Sequence, residues 1–232
     1  MPNENYTHIA LAVDRSGSMY GIAQSMIEGF NEFIEGQRDV DGRATVTLAQ
    51  FDNEYELVYD MQEIDDIPAL ELIPRGSTAL LDGMGKTMNS VRENIQNLAD
   101  EERPAKCLFI FITDGGENAS REYTRETVFQ MIQDCKDDEN INYEFLFLGA
   151  NQDAISAGHN YGIRAGASMS FAANNQGSRS VYESLTKGVT SYRSSRCKSA
   201  EINFSPSDRT SAMGQMDIIP DLDESIIDLN KK

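Results

Sequence analysis

Ile9-Ala10-Leu11-Ala12-Val13-Asp14-Arg15-Ser16-Gly17-Ser18 is the stretch from which the fold is read. Five apolar residues without alternation, inside the run Thr7–Val13, predict a buried strand. The strand stops at a carboxylate followed by two hydroxyls, each two residues on. Gly17 lets the chain turn tightly there. After the turn, Ile22, Met26, Phe30 and Phe33-Ile34 recur at helical spacing, predicting a helix from Met19 to about Glu35 that Gly36 ends. One strand-to-helix turn therefore delivers three oxygen groups of the kind a hard divalent cation takes.

The pattern continues outward from this turn. Ala44–Phe51 and Glu54–Met61 are strands joined by Asp52-Asn53, which predicts an antiparallel hairpin at a sheet edge. An acidic connection over 63–73 leads to the loop Pro74-Arg75-Gly76-Ser77-Thr78. Leu81, Met84, Met88, Val91, Ile95 and Leu98 follow at steps of three and four, a helix with one core face. Cys107-Leu108-Phe109-Ile110-Phe111-Ile112 lies in a strand covered on both faces, as in a parallel sheet, and ends in Asp114-Gly115-Gly116-Glu117-Asn118. Further elements are a helix over 124–136, a strand over 142–149, a short helix over 153–160, a short strand over 167–171 and a helix over 179–194. The expected class is α/β: a doubly wound, mostly parallel sheet with one antiparallel edge strand and helices on both faces.

From about Ser199 the apolar periodicity fades, and Ser205-Pro206-Ser207-Asp208 reads as linker. Acids then alternate with aliphatics over 216–229. The expected organisation is one domain over 1–198 and an acidic tail over 199–232, flexible or docking.

Composition bounds the function. The chain has 232 residues, of which 40% are hydrophobic, enough for a substantial core. A formal net charge of -18 with no dense basic run excludes non-specific binding to nucleic acid or to an anionic membrane surface. Three cysteines without metal-type spacing argue against a disulfide framework and for a reducing compartment. The first residues have no signal-peptide character, and no apolar run is long enough to span a bilayer, so a cytoplasmic protein is expected. The sequence does not specify an oligomeric state.

In a doubly wound sheet, ligands bind at the carboxyl ends of the strands, near the switch in strand order. That edge receives Asp14, Ser16 and Ser18 from the first loop, Thr78 from the second and Asp114 from the third. Taken singly, the serines serve equally as cap and turn residues, Thr78 as an N-cap and Asp114-Gly115 as a turn. Together they form an all-oxygen set with two carboxylates, suited to Mg²⁺ or Mn²⁺ with a coordination position left open. A carboxylate from a protein partner suits that position. Asp82, Glu117 and Glu122 are read as solvated or rim residues without a ligand role, and His8 and His159 as structural.

Asp14-Arg15-Ser16-Gly17-Ser18-Met19, Gly76-Ser77-Thr78-Ala79-Leu80 and Ile112-Thr113-Asp114-Gly115-Gly116-Glu117-Asn118 resemble the three loops of the metal-ion-dependent adhesion site in von Willebrand factor A domains. The resemblance covers roughly residues 5–195 and implies a Rossmann-like fold. The overall size and the lack of a signal peptide look more like the intracellular bacterial or phage branch, including tellurite-resistance-type proteins, than like secreted adhesins. The resemblance implies that Ser16 and Ser18 bind the metal directly, that Thr78 does so in the ligand-competent state, and that Asp14 and Asp114 bind directly or through water. It implies a binding module in which the cation bridges to an acidic side chain of a partner, not an enzyme. Two other functions stay open at this point. One is an Mg²⁺-dependent aspartyl phosphotransferase or phosphatase with Asp14 as nucleophile, although Ser16 stands where that chemistry usually has a second acid. The other is a regulatory subunit of an AAA-type ATPase or kinase system.

Overall fold

The structure is a computed structural model that describes residues 1–197 and 199–214. Six strands form one sheet: β1 (Asn3–Asp14), β2 (Arg43–Phe51), β3 (Tyr55–Glu63), β4 (Pro104–Thr113), β5 (Asn142–Ala150) and β6 (Ser168–Phe171). Their order is β3-β2-β1-β4-β5-β6, with β2–β3 antiparallel and every other pair parallel. The expected class, including the antiparallel edge, is what the chain adopts.

β1 is central because its sequence can be buried on both faces. Residues 6–14 are all buried, including the aliphatic run that predicts the strand. Burial of Ile9, Leu11 and Val13 contributes about 1.5–3 kcal/mol each. β4 shows the same two-sided burial, with its Phe109 ring stacked on Phe111 and on Phe145 of β5. From β1 the chain first moves outward to β2 and β3, then returns across to β4. The switch in strand order therefore falls between β1 and β4.

The main helices are α1 (Ala23–Arg38), α2 (Leu80–Asn97), α3 (Arg125–Lys136), α4 (Ala154–Asn160), α5 (Asn175–Ser194) and α6 (Pro206–Ala212). α1 packs on α5, and α2 on α3. A 3-10 turn, Gly17–Gly21, precedes α1. α1 also runs past Gly36, where the sequence predicts a stop. A Cβ on Gly36 would lie 3.0 Å from Thr186 of α5, so this glycine serves close helix packing. α5 begins at Asn175, earlier than its apolar periodicity indicates, because the Asn174 side chain accepts from the Gly177 N–H as an N-cap. Among the described residues, no helix is long and apolar enough to cross a membrane.

The largest departure lies after Ser199. Ile202 and Phe204 are buried in the core cluster. Ser205-Pro206-Ser207-Asp208, expected as linker, instead begins α6. Ser205 and Asp208 form a reciprocal capping box, with the Asp208 N–H donating to Ser205 and the Ser205 N–H donating to Asp208. Two isolated apolar residues are too few for a periodic signal, yet they are enough to seat the segment. The acidic–aliphatic stretch 216–229, expected to be flexible or to dock, lies outside the described residues.

Candidate metal centre

All five predicted oxygen residues come to the carboxyl edge of the sheet at the β1/β4 switch. Asp14 is the last residue of β1, Ser16 stands at the N-cap position of the 3-10 turn, and Ser18 lies within that turn. Thr78 precedes α2, and Asp114 follows β4. The Asp14 side chain is clamped: one oxygen accepts from the Ser16 N–H and the other from the Thr113 hydroxyl, each at 2.6 Å. Ser16 Oγ lies 3.0 Å from Ser18 Oγ, which donates to Asp114 Oδ1 at 2.7 Å. Gly115 faces the same space. A Cβ there would sit 3.5 Å from Thr78 Oγ1 and 3.8 Å from Ser18 Oγ. The hydroxyls do not take up the cap roles open to them. Ser16 makes no side-chain cap bond, and the N-cap of α2 is Ala79, also without one.

Four backbone–backbone hydrogen bonds hold the loops in register. Gly17 N donates to Gly76 O at 3.2 Å, and Arg75 N donates to Arg15 O at 2.8 Å. Thr78 is held by its backbone: its N–H donates to Asn118 Oδ1 at 3.0 Å, and its carbonyl accepts from the Asn118 and Ala119 N–H groups, each at 3.1 Å. Gly76 has φ +68, and a Cβ there would collide with Asn53 at 2.1 Å, so this turn requires glycine.

Several positioning residues escaped the sequence reading. Asp52, read as a turn residue, is buried and accepts from Arg15 Nε at 2.9 Å and Arg75 Nε at 2.8 Å. Its carbonyl also accepts from the Ala79 N–H at 2.7 Å, so one residue ties the first loop to the second. Asp82 is not solvated. It is buried and accepts from the N–H groups of Arg121, Glu122 and Tyr123, holding the chain after the third loop onto α2. Glu117 is not a passive rim residue either, since it accepts from the N–H groups of Leu81, Ala119 and Ser120. Thr113 carried one usable signal: it stands directly before Asp114 at the end of a strand. The pairing Val13↔Ile112 then sets it beside Asp14. For Asp52 and Asp82, whose partners are distant in sequence, no local pattern existed.

The electrostatics suit a cation. Burial pushes the Asp14 carboxyl up to about 6, against the lowering effect of the Thr113 and Ser16 hydrogen bonds, and Asp114 adds like-charge repulsion. Burial also raises Asp114, against the hydrogen bond from Ser18. The adjacent Arg15 does not neutralise them, since it pairs with Asp52 and Glu56. Among the described residues, no ion pair includes Asp14 or Asp114. Nor is there a cluster of three or more His, Cys, Asp or Glu groups suited to a metal. The donor set is two carboxylates and three hydroxyls, the hard-oxygen chemistry of Mg²⁺ or Mn²⁺. Ser16 and Thr78 are buried, Asp114 is half-buried and Ser18 is exposed, so the group opens to solvent on one side.

No protein-family model and no curated protein matches the sequence. Solved structures do match. The mussel-byssus proximal thread matrix protein 1 with a zinc-occupied MIDAS motif is 15% identical, with a TM-score of 0.54, covering 80% of this chain and 46% of that one. The von Willebrand factor type A protein from Catenulispora acidiphila is 14% identical at a TM-score of 0.55, covering 81% and 43%. The vWF domain of the type V pili tip protein Mfa5 from Porphyromonas gingivalis is 11% identical at 0.54, covering 79% and 94%. The chain thus spans less than half the length of the first two. Likeness at such identities concerns architecture, and on that ground this chain has the fold of von Willebrand factor A domains.

Proposed function

We propose that the chain is a metal-dependent protein-binding module in which Asp14, Ser16, Ser18, Thr78 and Asp114 hold a divalent cation. Mg²⁺ or Mn²⁺ suits the oxygen donors. A zinc-occupied MIDAS motif in a protein of the same fold supports the divalent class more generally. The cation's open position takes an acidic side chain of a protein partner. The observation that carries this reading is the convergence of three loops on one gap: the Ser16–Ser18–Asp114 hydroxyl–carboxylate chain, faced by Thr78 across a glycine that leaves the space clear. When bound, the cation supplies a fixed positive charge that attracts the partner's carboxylate. The chain's own residues orient it and keep one side open.

We read the module as non-enzymatic. An Asp14 nucleophile is disfavoured because both of its oxygens accept hydrogen bonds and the group is fully buried. Lys86 pairs with Glu122, and Lys106 sits at the opposite end of β4, where it donates to carbonyls at the end of α5. We also place the protein in a reducing, intracellular compartment, a reading supported by the free thiols of Cys107, Cys135 and Cys197. The test is calorimetric titration with Mg²⁺ and Mn²⁺ of the wild type and of Asp14→Asn. Binding at one site that the substitution abolishes is the expected result. Equal binding by both proteins refutes the assignment.

A further inference from the structure

A small cavity stands at the pole of the sheet opposite the metal edge. Its wall residues Pro2, Arg103 and Ile141 directly precede β1, β4 and β5, so it lies at the amino ends of those parallel strands. α2 starts just after Thr78 and runs about 27 Å to this pole, where its last turns supply Arg92 and Ile95. The volume is about 220 Å³, the space of roughly seven waters at ~30 Å³ each. Part of the lining is apolar: Ile95 and Ile141 are buried, as is Tyr143, whose ring stacks on Phe109 at 6.3 Å.

The charged groups around this space divide into a pair that is satisfied and a pair that is not. Arg103 pairs with Asp100 at 2.8 Å, and its other nitrogens donate to the carbonyls of Ile95, Gln96 and Leu98, closing the end of α2. Arg92 and Asp138 differ. Arg92 is half-buried, and among the described residues neither it nor Asp138 joins an ion pair. Asp138 Oδ1 accepts from the N–H groups of Asn140 at 2.8 Å and Ile141 at 3.1 Å, which fixes the turn into β5 and leaves the second oxygen for a ligand. Burial raises both the Cys135 thiol and the Tyr143 hydroxyl. Arg92 opposes the rise at each and Asp138 adds to it, so both charges act on the same small space.

An arginine and an aspartate that share a cavity without pairing are complementary to a molecule that carries both charges. A carboxylate suits the guanidinium fork of Arg92, an ammonium suits Asp138, and an aliphatic body suits Ile95 and Ile141. A simple anion would meet Asp138, and a simple amine would meet Arg92, so each half of such a ligand alone suffers like-charge repulsion. Size limits the choice further. Leucine, with about nine non-hydrogen atoms, matches the space of roughly seven waters, whereas tryptophan, with about fifteen, overfills it.

We propose that this cavity binds a small zwitterion, an aliphatic α-amino acid, with Arg92 holding the carboxylate, Asp138 the ammonium, and Ile95 and Ile141 the side chain. The site is separate from the metal edge and does not depend on the metal reading.

The test titrates the full chain, carrying labelled isoleucine methyls, with L-leucine. Ile95 and Ile141 report the cavity, and Ile22 and Ile112 report the metal edge. The expected result is a saturable shift of Ile95 and Ile141 with a Kd of about 1 mM or tighter, while Ile22 and Ile112 stay in place. Isocaproate, which lacks the amine, and isoamylamine, which lacks the carboxylate, should each bind at least about tenfold more weakly. Arg92→Gln and Asp138→Asn should each weaken leucine by a similar factor, with the Ile22 and Ile112 methyls of the free variants reporting an intact fold. Absence of a saturable shift at Ile95 and Ile141 overturns the proposal. Shifts spread equally over all four methyls also overturn it, since leucine then binds without a site. Binding of isocaproate or isoamylamine as tight as that of leucine refutes the zwitterion, and a leucine affinity that either substitution leaves unchanged refutes the assignment of Arg92 and Asp138.

Discussion

Asp14→Asn should stabilise the metal-free protein at pH 7 while abolishing its response to metal. Burial raises the Asp14 carboxyl from 3.8 to about 6. At about 1.4 kcal/mol per pH unit, that difference corresponds to roughly 3 kcal/mol by which the ionised carboxylate destabilises the folded chain at pH 7. Asparagine removes the charge. Its amide oxygen can still accept from Ser16 N–H, and its NH₂ can donate to the Thr113 hydroxyl, with ~1 kcal/mol lost from charge-assisted bonding. The net gain is about 2 kcal/mol, or ~4–8 °C in Tm for a domain of this size. The sign with pH follows from the raised value. The penalty is fully present above about 6 and vanishes as pH falls toward 3.8, so by pH 5 it roughly halves and the net advantage of the variant should shrink to about 0.6 kcal/mol. Saturating Mg²⁺ reverses the order, since a ligand at 100 times its Kd adds about 2.7 kcal/mol to the wild type alone. Thermal melts at pH 7 and pH 5, with Mg²⁺ and with EDTA, read all four corners. A variant less stable than wild type in EDTA at pH 7, or one that gains from Mg²⁺ as wild type does, refutes the reasoning.

Gly115→Val should place methyl groups in the space shared by Thr78 Oγ1 and Ser18 Oγ. Calorimetry is expected to show metal affinity reduced at least tenfold, about 1.4 kcal/mol, with little change in the metal-free Tm. Asp52→Asn removes the buried charge that pairs with Arg15 and Arg75, so urea unfolding should show a loss of ~3–5 kcal/mol. An unchanged midpoint would mean that the first two loops do not depend on this carboxylate. Ser205→Ala breaks the capping box of α6 and should cost ~0.5–2 kcal/mol by the same measurement, whereas a linker at 205–208 would show no loss.

The alternation of elements was legible because its cause is local. Two-sided burial of β1 and β4 leaves unbroken apolar runs, and one-sided burial of α2 leaves a period between three and four. The candidate site was legible for a related reason. A doubly wound sheet sends the ends of its parallel strands to one edge, so Asp14 and Asp114 at strand ends, with Thr78 before a helix, had to meet there. What stayed hidden depends on partners distant in the chain. Gly36 reads as a stop until Thr186 is seen against it. Asp52 reads as a turn until Arg15 and Arg75 close on it, and Asp82 as a surface acid until three N–H groups of 121–123 converge on its carboxylate. Periodicity and strand-end chemistry are written in neighbouring residues. Which carboxylates are buried and paired, and which are left raised in pKa facing an open gap, is settled only when loops far apart in the chain are packed together.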